Sequence, residues 1–377
     1  MDHILTTFIN IYITVLIYSL IDFIPRIRRK FTKKIYILDK SLKNEDYTIV
    51  LPVFGKPQFL DGLDKLSKYG NKVLLTTTKF ETIEFNTKVQ QLVEKYDFNV
   101  VKVTLPKDKY GNDIKTTPAL LQRALPHVKT KYVIRLDADS YPLENLNMLF
   151  GNMEFNDYDL ASAKVLPNPE QKQNIMWHLQ DAEYTTAMDN RNLYPFVTSG
   201  AAIIGKTSKL KKISQNHSLF PNGEDSEHGR LATIMDMKVG YIPFTIYTDV
   251  PLTIKEWFNQ RGNWLIGAFR HKIINIKFTS QYPWFLFYYV LIVYLMLPFR
   301  AYHSVMHPEM LPIIFLVYAS VTFFFRMSTY KWFYIFFPIY AFVQSTILPF
   351  IGIYRYFRKA IRMGNWGLMT TNRVIKI

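Results

Sequence analysis

The sequence contains no cysteine among its 377 residues. Disulfides, thiolate zinc sites, iron–sulfur clusters and a cysteine nucleophile are therefore excluded. Acidic residues are scarce relative to basic ones, because 30 Asp and Glu stand against 46 Lys and Arg and leave a formal charge of +16. This excess suits a polyanionic partner, a membrane face or a phosphorylated ligand, and the total alone does not choose among them.

Several common catalytic signatures are missing too, since G-x-G-x-x-G, H-E-x-x-H and G-x-S-x-G do not occur. One phosphate-loop pattern, GAAIIGKT, does occur at 200–207. A true phosphate loop needs a flexible backbone between a buried strand and a helix, whereas Ala-Ala-Ile-Ile is typical of a strand. A membrane NTPase built on this pattern is therefore a minor alternative.

Hydrophobic residues make up 49% of the chain, which excludes a mainly disordered protein, and they concentrate at both ends. Residues 4–24 form a run of roughly bilayer-spanning length. In a signal peptide, basic residues precede the apolar run. Here they follow it. They are Arg26, Arg28, Arg29, Lys30, Lys33 and Lys34. This order predicts a retained anchor whose following segment is cytoplasmic.

Three further apolar runs lie near the C-terminus, at 282–299, 310–325 and 332–354. We interpret them as membrane segments, with buried core helices as the alternative. Pro338 and Pro349 interrupt the last run and favour an interfacial or re-entrant segment there. Upstream, 256–278 mixes aromatic residues with Arg and Lys, which predicts an amphipathic helix on the membrane face.

The middle of the chain alternates short apolar strands with helical patterns, which predicts an α/β layer domain. A helix is expected between Lys115 and Lys129. The predicted strands are 47–53, 72–78, 98–105, 131–137 and 157–166.

Asp137 and Asp139 lie at the end of the strand predicted at 131–137. Ligand sites in open α/β sheets lie at the carboxyl ends of strands, and two carboxylates one residue apart can share Mg²⁺ or Mn²⁺. A turn or helix-cap pair is the alternative. Glu224 and Asp225 form a second acidic pair in a Pro- and Gly-containing loop. Asp225 is either a general base near a substrate hydroxyl or a helix N-cap.

A third cluster consists of Gln260, Arg261 and Trp264, within QRGNW. Arginine offers forked donors to phosphate, and tryptophan offers a flat face to a sugar or base. A plain membrane-surface helix is the alternative. Lys115 is either a solvated lysine or a cation beside a diphosphate.

The order of these clusters over residues 45–300 resembles the family 2 glycosyltransferases, most closely the membrane-embedded processive branch with hyaluronan, chitin and cellulose synthases. Two positions depart from the family: Asn263 stands where the family usually has Arg, and Thr76-Thr77-Thr78 replaces its Asp-Asp-Gly. The matching segments are TIVLPVFGKP (48–57), Lys115 with its helix, RLDADSYP (135–142), TSGAAIIGK (198–206), NGEDSEHG (222–229), QRGNW (260–264) and, in the tail, NWGLMTTNR (365–373).

The resemblance implies a GT-A-type α/β domain, a mixed sheet flanked by helices, and transfer with inversion. It implies that Asp225 is the catalytic base and that Asp137 and Asp139 hold Mn²⁺ or Mg²⁺. It also implies two groups of binding residues. Lys115, Asp137, Gln260, Arg261 and Trp264 would bind the nucleotide sugar, and Ser199, Gly200, Glu224 and Trp264 the acceptor.

The expected reaction is transfer from a UDP-sugar to a growing polysaccharide, exported through the enzyme's own multi-pass membrane region with the catalytic domain cytoplasmic. The alternatives are a non-processive transferase with a lipid-linked acceptor and a non-enzymatic lipid- or nucleic-acid-binding membrane protein. No nucleic-acid partner is expected. The predicted domains are an anchor (1–25), a basic linker (26–44), the transferase domain (45–255), an interface helix (256–280), membrane helices (281–354) and a basic tail (355–377).

Overall fold

The computed structural model describes residues 2–32, 35–108, 110–326 and 332–369. The chain divides into two compact units. The first unit comprises Met1–Lys33, Lys172–Glu183 and Pro251–Lys359. The second unit comprises Lys34–Gln171, Tyr184–Val250 and Ala360–Ile377.

The second unit contains an eight-stranded mixed sheet with strand order β3-β2-β1-β4-β7-β6-β8-β5. Strands β1 to β4 run parallel, and β7 is antiparallel to both β4 and β6. The strands are β1 (Tyr47–Pro52), β2 (Val73–Thr78), β3 (Asn99–Val103), β4 (Tyr132–Leu136), β5 (Ser140–Pro142), β6 (Leu160–Pro167), β7 (Ala202–Lys206) and β8 (Val239–Thr248). The predicted α/β architecture is confirmed.

All five predicted strands are present, but β5 and β8 were not predicted. Strand β8 contains Pro243, which cannot donate a ladder hydrogen bond and normally argues against a strand. The structure accommodates this proline where the register between β6 and β8 shifts, between Ala163 and Lys164. A β-bulge of this kind leaves a residue outside the ladder, so the missing N–H costs no pairing.

Helices cover both faces of the sheet, as the strand side chains require. Ile49 and Leu51 pack in one buried cluster and Val50 in another, because successive strand residues point to opposite faces. The α-helices of this unit are α2 (Ile83–Tyr96), α3 (Thr117–Ala124), α4 (Leu146–Phe155), the end of α5 (Ile175–Leu193), α6 (Thr207–Asn216) and α7 (Glu224–Ile234). Short 3₁₀ segments span Pro57–Leu60, Leu63–Lys72 and Leu125–His127.

The first unit is helical in its described part. Its α-helices are α1 (Asp2–Thr32), the start of α5, α8 (Ile254–Phe269), α9 (Ile276–Thr279), α10 (Pro283–Phe285), α11 (Leu297–Met306), α12 (Leu311–Arg326), α13 (Phe337–Phe342) and α14 (Leu348–Met363). Turns of π-helix span Arg270–Ile274, Leu286–Leu295 and Val343–Ile347, and 3₁₀ turns span Pro308–Met310 and Trp332–Phe336.

Two helical segments of the described chain are long and apolar enough to cross a bilayer, Pro283–Met306 and Trp332–Met363. Ile4–Tyr18 and Pro308–Ser320 are shorter apolar helices. Pro338 and Pro349 do not break the second segment, because each lies in the first turn of an α-helix, α13 or α14. Proline is tolerated there, since its missing N–H would have no helical partner.

Candidate active site

The carboxyl end of β4 carries the first acidic pair. Arg135 is 2% exposed, and its Nη2 lies 2.6 Å from Oδ1 of Asp137. Its Nη1 donates to the carbonyl of Gly200. Because β4 and β7 are antiparallel, the end of β4 lies beside the start of β7, and Arg135 ties these two ends together. Arg135 was missed in the sequence analysis, although a charged residue inside the apolar run YVIRL was a usable signal.

Asp139 is held by the neighbouring strand pair. Its carboxylate accepts hydrogen bonds from Ser140 Oγ at 3.2 Å and Thr248 Oγ1 at 3.4 Å. The N–H of Asp249 donates to the Asp139 carbonyl at 3.2 Å. The turn considered as the alternative exists, because Ser140 N–H donates to the Asp137 carbonyl at 3.0 Å. Asp249 is a further carboxylate at this edge and was not predicted.

The second acidic pair begins helix α7. Gly223, at φ 74°, is the N-cap residue, so Glu224 and Asp225 occupy the first turn. The interpretation of Asp225 as the N-cap is therefore wrong. A Cβ on Gly200 would lie 3.7 Å from Oδ2 of Asp225. Gly200, which was predicted to bind the acceptor, therefore lies next to Asp225, the predicted base.

Burial and neighbouring charges raise the pKa values of Asp137, Asp139 and Asp225. Enclosure by the protein raises the pKa of Asp137 to about 7, against the opposing charge of Arg135 and with further contributions from Asp139, Glu224 and Asp225. The Asp137 side chain is still 41% exposed, so a ligand can reach it. Enclosure and the charge of Glu224 raise the pKa of Asp225 to about 6. Enclosure also raises the pKa of Asp139.

This donor set fits a hard divalent cation. Asp137 and Asp139 offer oxygen ligands, and their repulsion is relieved by positive charge. The described part of the chain holds no cluster of three or more His, Asp or Glu that could enclose a metal ion by itself. A cation at Asp137 and Asp139 would therefore need oxygens from a ligand or water, as Mg²⁺ commonly does.

We expect transfer to be lost in acid. A base must be ionised to accept a proton, so the rate should rise between about pH 5 and 7 with a midpoint near the Asp225 pKa of about 6. Raised pKa values also mean that these groups stabilise the metal-free fold most at low pH and lose that contribution as pH rises through 6 to 7. A pH–rate profile and metal-free thermal unfolding at pH 5.5 and 8 check both signs. A rate independent of pH over this range would contradict the assignment.

Two buried histidines hold the backbone that carries Asp225. The Glu224 carbonyl lies 2.6 Å from Nδ1 of His228 and 3.2 Å from Nε2 of His217. Nδ1 of His217 accepts from the Leu219 N–H at 3.0 Å, so we assign its proton to Nε2. Burial and the nearby His217 lower the pKa of His228 to about 3, which keeps that ring neutral. Thr198 Oγ1 donates to the Asp225 carbonyl. The sequence analysis missed all three residues.

Two glycines offer a matched test of this geometry. A Cβ on Gly200 would make only ordinary contacts, at 3.7 to 3.9 Å from Asp225, whereas one on Gly229 would lie 2.0 Å from the Phe196 carbonyl oxygen. We expect Gly200→Ala to fold normally and to raise the acceptor KM, because the methyl group takes space beside the base. Gly229→Ala should instead lower the melting temperature. Equal melting temperatures for the two variants would contradict this packing.

The other predicted residues of this unit have plainer surroundings. Lys115 is exposed ahead of α3; its N–H donates to the Asp113 carbonyl at 3.1 Å, and its ammonium group has no hydrogen-bond or ion-pair partner within the described ranges. Ser199 is 7% exposed and forms an isolated bridge with Ala202. The phosphate-loop alternative is wrong, because residues 202–206 form strand β7 and Lys206 pairs with Asp157 at 2.7 Å.

The tail segment 365–373 is described only as far as residue 369, and 370–373 lie outside the described residues. Within it, Asn365 Nδ2 donates to the Ser218 carbonyl at 3.0 Å.

Residues 76–78 carry no acidic side chain, but Glu81 places a carboxylate next to Thr78. The hydroxyl of Thr78 donates to Oε1 of Glu81, and Oε2 of Glu81 accepts from the Gly55 N–H at 2.9 Å. Glu81 therefore joins the ends of β1 and β2 at the edge of the sheet where a nucleotide would be expected. Glu81 lies in the loop after β2, where the sequence does not define the direction of a side chain, so no sequence pattern predicted its role.

The third predicted cluster lies in the first unit. Arg261 is 1% exposed, and its Nη2 lies 2.7 Å from Oε2 of Glu183. Its guanidinium stacks 4.0 Å from the centre of the Trp264 ring and donates to Gln260 Oε1. Trp264 itself is 46% exposed.

The side chain of Asn263 has an arginine from another helix next to it. Arg355 of α14 donates to the Asn263 side-chain oxygen at 3.4 Å and to the Asn259 carbonyl at 3.2 Å. The position of Asn263 therefore has a guanidinium beside it although the sequence has none there.

Comparison with known proteins identifies the fold. The sequence model described as "Glycosyl transferase family group 2" matches residues 132–347, more than half of the chain. A mannosyltransferase from Pyrobaculum calidifontis, solved with GDP-Man and Mn²⁺, is similar over 92% of this chain and 99% of its own, with 14% identity and a TM-score of 0.62. This likeness and the family match confirm the expected GT-A-like mixed sheet flanked by helices.

Two other solved structures are more distant. TarS 1-349 from S. aureus in complex with UDP has 12% identity and a TM-score of 0.42, covering 85% of this chain and 92% of its own. Glucosyl-3-phosphoglycerate synthase from Mycobacterium tuberculosis, with Mn²⁺ and UDP, has 9% identity and a TM-score of 0.35, covering 64% and 81%. A search of curated proteins found no match.

Proposed function

Because this chain belongs to glycosyl transferase family group 2, we propose that it transfers a sugar from a nucleoside diphosphate to an acceptor hydroxyl, with inversion. The observation that carries this proposal is that Arg135 links Asp137, at 2.6 Å, to the carbonyl of Gly200, whose Cβ position lies 3.7 Å from Oδ2 of Asp225. The raised pKa values of Asp137, Asp139 and Asp225 are typical of a functional site that binds a cation and accepts a proton.

Asp137 and Asp139 bind the cation, Mn²⁺ or Mg²⁺, on the diphosphate side. When bound, the cation supplies positive charge that stabilises the departing diphosphate. Arg135 keeps Asp137 in place from inside the sheet, at 2.6 Å. Lys115 is exposed, its ammonium group has no partner among the described residues, and it adds positive charge for the diphosphate.

Asp225 takes the proton from the attacking acceptor hydroxyl. Its pKa of about 6 lets it be ionised at neutral pH while remaining a useful base. Glu224, Ser199 and Gly200 line the acceptor side, and the absent Cβ of Gly200 leaves room next to the Asp225 carboxylate. Thr198, His217 and His228 hold the backbone on which the base stands.

The finer proposal is that the acceptor is a growing polysaccharide and that the enzyme lies in a membrane. The support is the apolar N-terminal segment with its basic flank and the two bilayer-length segments Pro283–Met306 and Trp332–Met363. In this proposal the segments predicted at 1–25 and 281–354 are membrane-embedded, the protein is multi-pass, and the domain at 45–255 is cytoplasmic, where nucleotide sugars are available. The linker 26–44, the interface helix 256–280 and the tail 355–377 lie at the membrane surface. The polymer leaves through the membrane region.

A second candidate is a single transfer to a lipid-linked acceptor. One observation favours it: the Arg261 charge is already met by Glu183 at 2.7 Å, which leaves little of it for a diphosphate. In that case Gln260, Arg261 and Trp264 would serve mainly to present the exposed Trp264 ring to the acceptor.

A donor screen tests both. Protein purified in detergent would be incubated with Mn²⁺ or Mg²⁺ and each common UDP- and GDP-sugar, and released nucleoside diphosphate and product size would be recorded. We propose a UDP-sugar as donor, and the GDP-sugar arm is included because the mannosyltransferase of similar fold was solved with GDP-Man. Long products support polymerisation, and a single addition supports the second candidate. Absence of metal-dependent nucleotide release with every donor would refute the proposed function.

A further inference from the structure

The carboxylate of Glu183, on α5, is held by donors from other helical segments of the first unit. Its Oε2 accepts from Arg261 of α8, from Nε at 3.1 Å and from Nη2 at 2.7 Å. The Tyr340 hydroxyl of α13 donates to the same oxygen, and Nε2 of Gln344, in the π-turn that follows α13, donates to Oε1 at 2.7 Å. These four hydrogen bonds fix the direction of the carboxylate as well as its charge.

A further hydrogen bond to the Arg261 guanidinium comes from Gln180, one turn before Glu183 on α5. Gln180 is fully buried, and its Oε1 accepts from Arg261 Nη2 at 3.3 Å. Its Nε2 donates to the Pro251 carbonyl at 2.6 Å, which keeps the amide in this orientation. A single ion pair would compensate the Arg261 charge, whereas these additional bonds also set the plane of the guanidinium.

The plane of the Arg261 guanidinium matters because the Trp264 ring stacks on it. Arg261 and Trp264 are three residues apart on α8, a spacing that places them on one face of the helix. The guanidinium lies 4.0 Å from the centre of the Trp264 ring. Arg261 is 1% exposed and Trp264 is 46% exposed, so the ring is open to a ligand and the guanidinium is covered.

We infer that Glu183 is a positioning residue for the acceptor: it fixes Arg261, which holds the Trp264 ring as a platform on which a neutral sugar of the acceptor stacks. The inference rests on the proposed function, in which Trp264 contacts the acceptor, and adds that Arg261 does not contact the donor diphosphate. The alternative role of Glu183 is to compensate a buried charge and nothing more. Charge compensation needs a negative group near Arg261, whereas positioning needs that group at one place.

Two substitutions of Glu183 separate these roles. Glu183→Gln removes the charge, and Glu183→Asp keeps the charge but withdraws it by one methylene group. Positioning predicts that both variants raise the acceptor KM by about 3- to 10-fold, the range of one aromatic contact, and leave the donor KM unchanged. Charge compensation predicts wild-type constants for Glu183→Asp. That variant also keeps the test available if Glu183→Gln fails to fold, because Arg261 retains a negative partner.

The kinetic probes are cellotriose and chitotriose, two neutral trisaccharides tested as acceptors or competitors with the full chain and the donor found in the screen. Glu154→Gln, which breaks an ion pair with Lys131 in the second unit, is the matched control and should keep wild-type constants. Trp264→Ala should raise the acceptor KM as Glu183→Gln does. Adding Glu183→Gln to Trp264→Ala should raise the acceptor KM no further, because Glu183 acts through the ring.

A spectroscopic measurement does not depend on turnover. In protein labelled with 5-fluorotryptophan, the resonance missing from Trp264→Phe identifies Trp264. Its fluorine chemical shift should move toward that of the free amino acid in both Glu183 variants, while the resonance of Trp366, in the second unit, stays in place.

The inference is overturned by an unmoved Trp264 resonance, by additive effects of Glu183→Gln and Trp264→Ala, by a raised donor KM in Glu183→Gln, or by a wild-type acceptor KM in Glu183→Asp. Failure of nucleotide release with all donors would refute the proposed function, whereas the fluorine resonance would still report whether Glu183 holds the Trp264 ring.

Discussion

Asp225→Asn should lower sugar transfer by about 10²- to 10⁴-fold, the usual contribution of a positioned general base. The amide has nearly the same shape as the carboxylate but cannot accept the hydroxyl proton. Metal-dependent binding of the nucleotide sugar should be retained, because Asp137 and Asp139 remain. Steady-state transfer together with equilibrium binding of the donor measures the two effects separately.

The matched control for this variant lies just beyond the C-terminus of the same helix. Asp236 is exposed just after α7 and has φ 54°, a conformation that Asn tolerates well. Asp236→Asn should therefore keep wild-type transfer and wild-type melting temperature. Wild-type transfer in Asp225→Asn would refute its assignment as the base, and lost donor binding in that variant would place Asp225 on the diphosphate side instead.

Asp139→Asn should abolish metal-dependent donor binding and lower transfer by about 100-fold or more, because a bound cation stabilises a leaving group by several kcal/mol. The same change should raise the melting temperature of the metal-free protein, since it removes one member of a set of mutually repelling carboxylates. Titration calorimetry with Mn²⁺ and metal-free thermal unfolding give the two signs independently.

Opposite signs in the two measurements distinguish a metal ligand from a structural residue. A carboxylate that only accepts from Ser140 and Thr248 would lower the melting temperature when replaced. Unchanged Mn²⁺ binding in Asp139→Asn would contradict its role as a ligand. Asp137→Asn is the less clean variant, because it would also leave the 2%-exposed Arg135 without its carboxylate.

Local pattern was sufficient for much of the fold. Strands β1 to β4 are short runs rich in apolar residues, and such runs are recognisable from the sequence. Strand β8 was not predicted, because Pro243 interrupts its sequence pattern. The bulge opposite Ala163 and Lys164 explains how the strand continues past this proline. The start of helix α7 at its N-cap residue Gly223 likewise depends on a backbone conformation that the residue type only suggests.

What the sequence determined by itself is the set of candidate acidic residues: the pairs at 137 and 139 and at 224 and 225, their order, and the place of the first pair at the end of an apolar strand are properties of the linear chain. Only the tertiary structure decided which arginine side chains form ion pairs with carboxylates. Arg135 and Arg261 form ion pairs with carboxylates, and Arg355 donates a hydrogen bond to Asn263. Charge compensation depends on distances across the fold, and residues far apart in sequence have no fixed separation until the sheet and its helices pack.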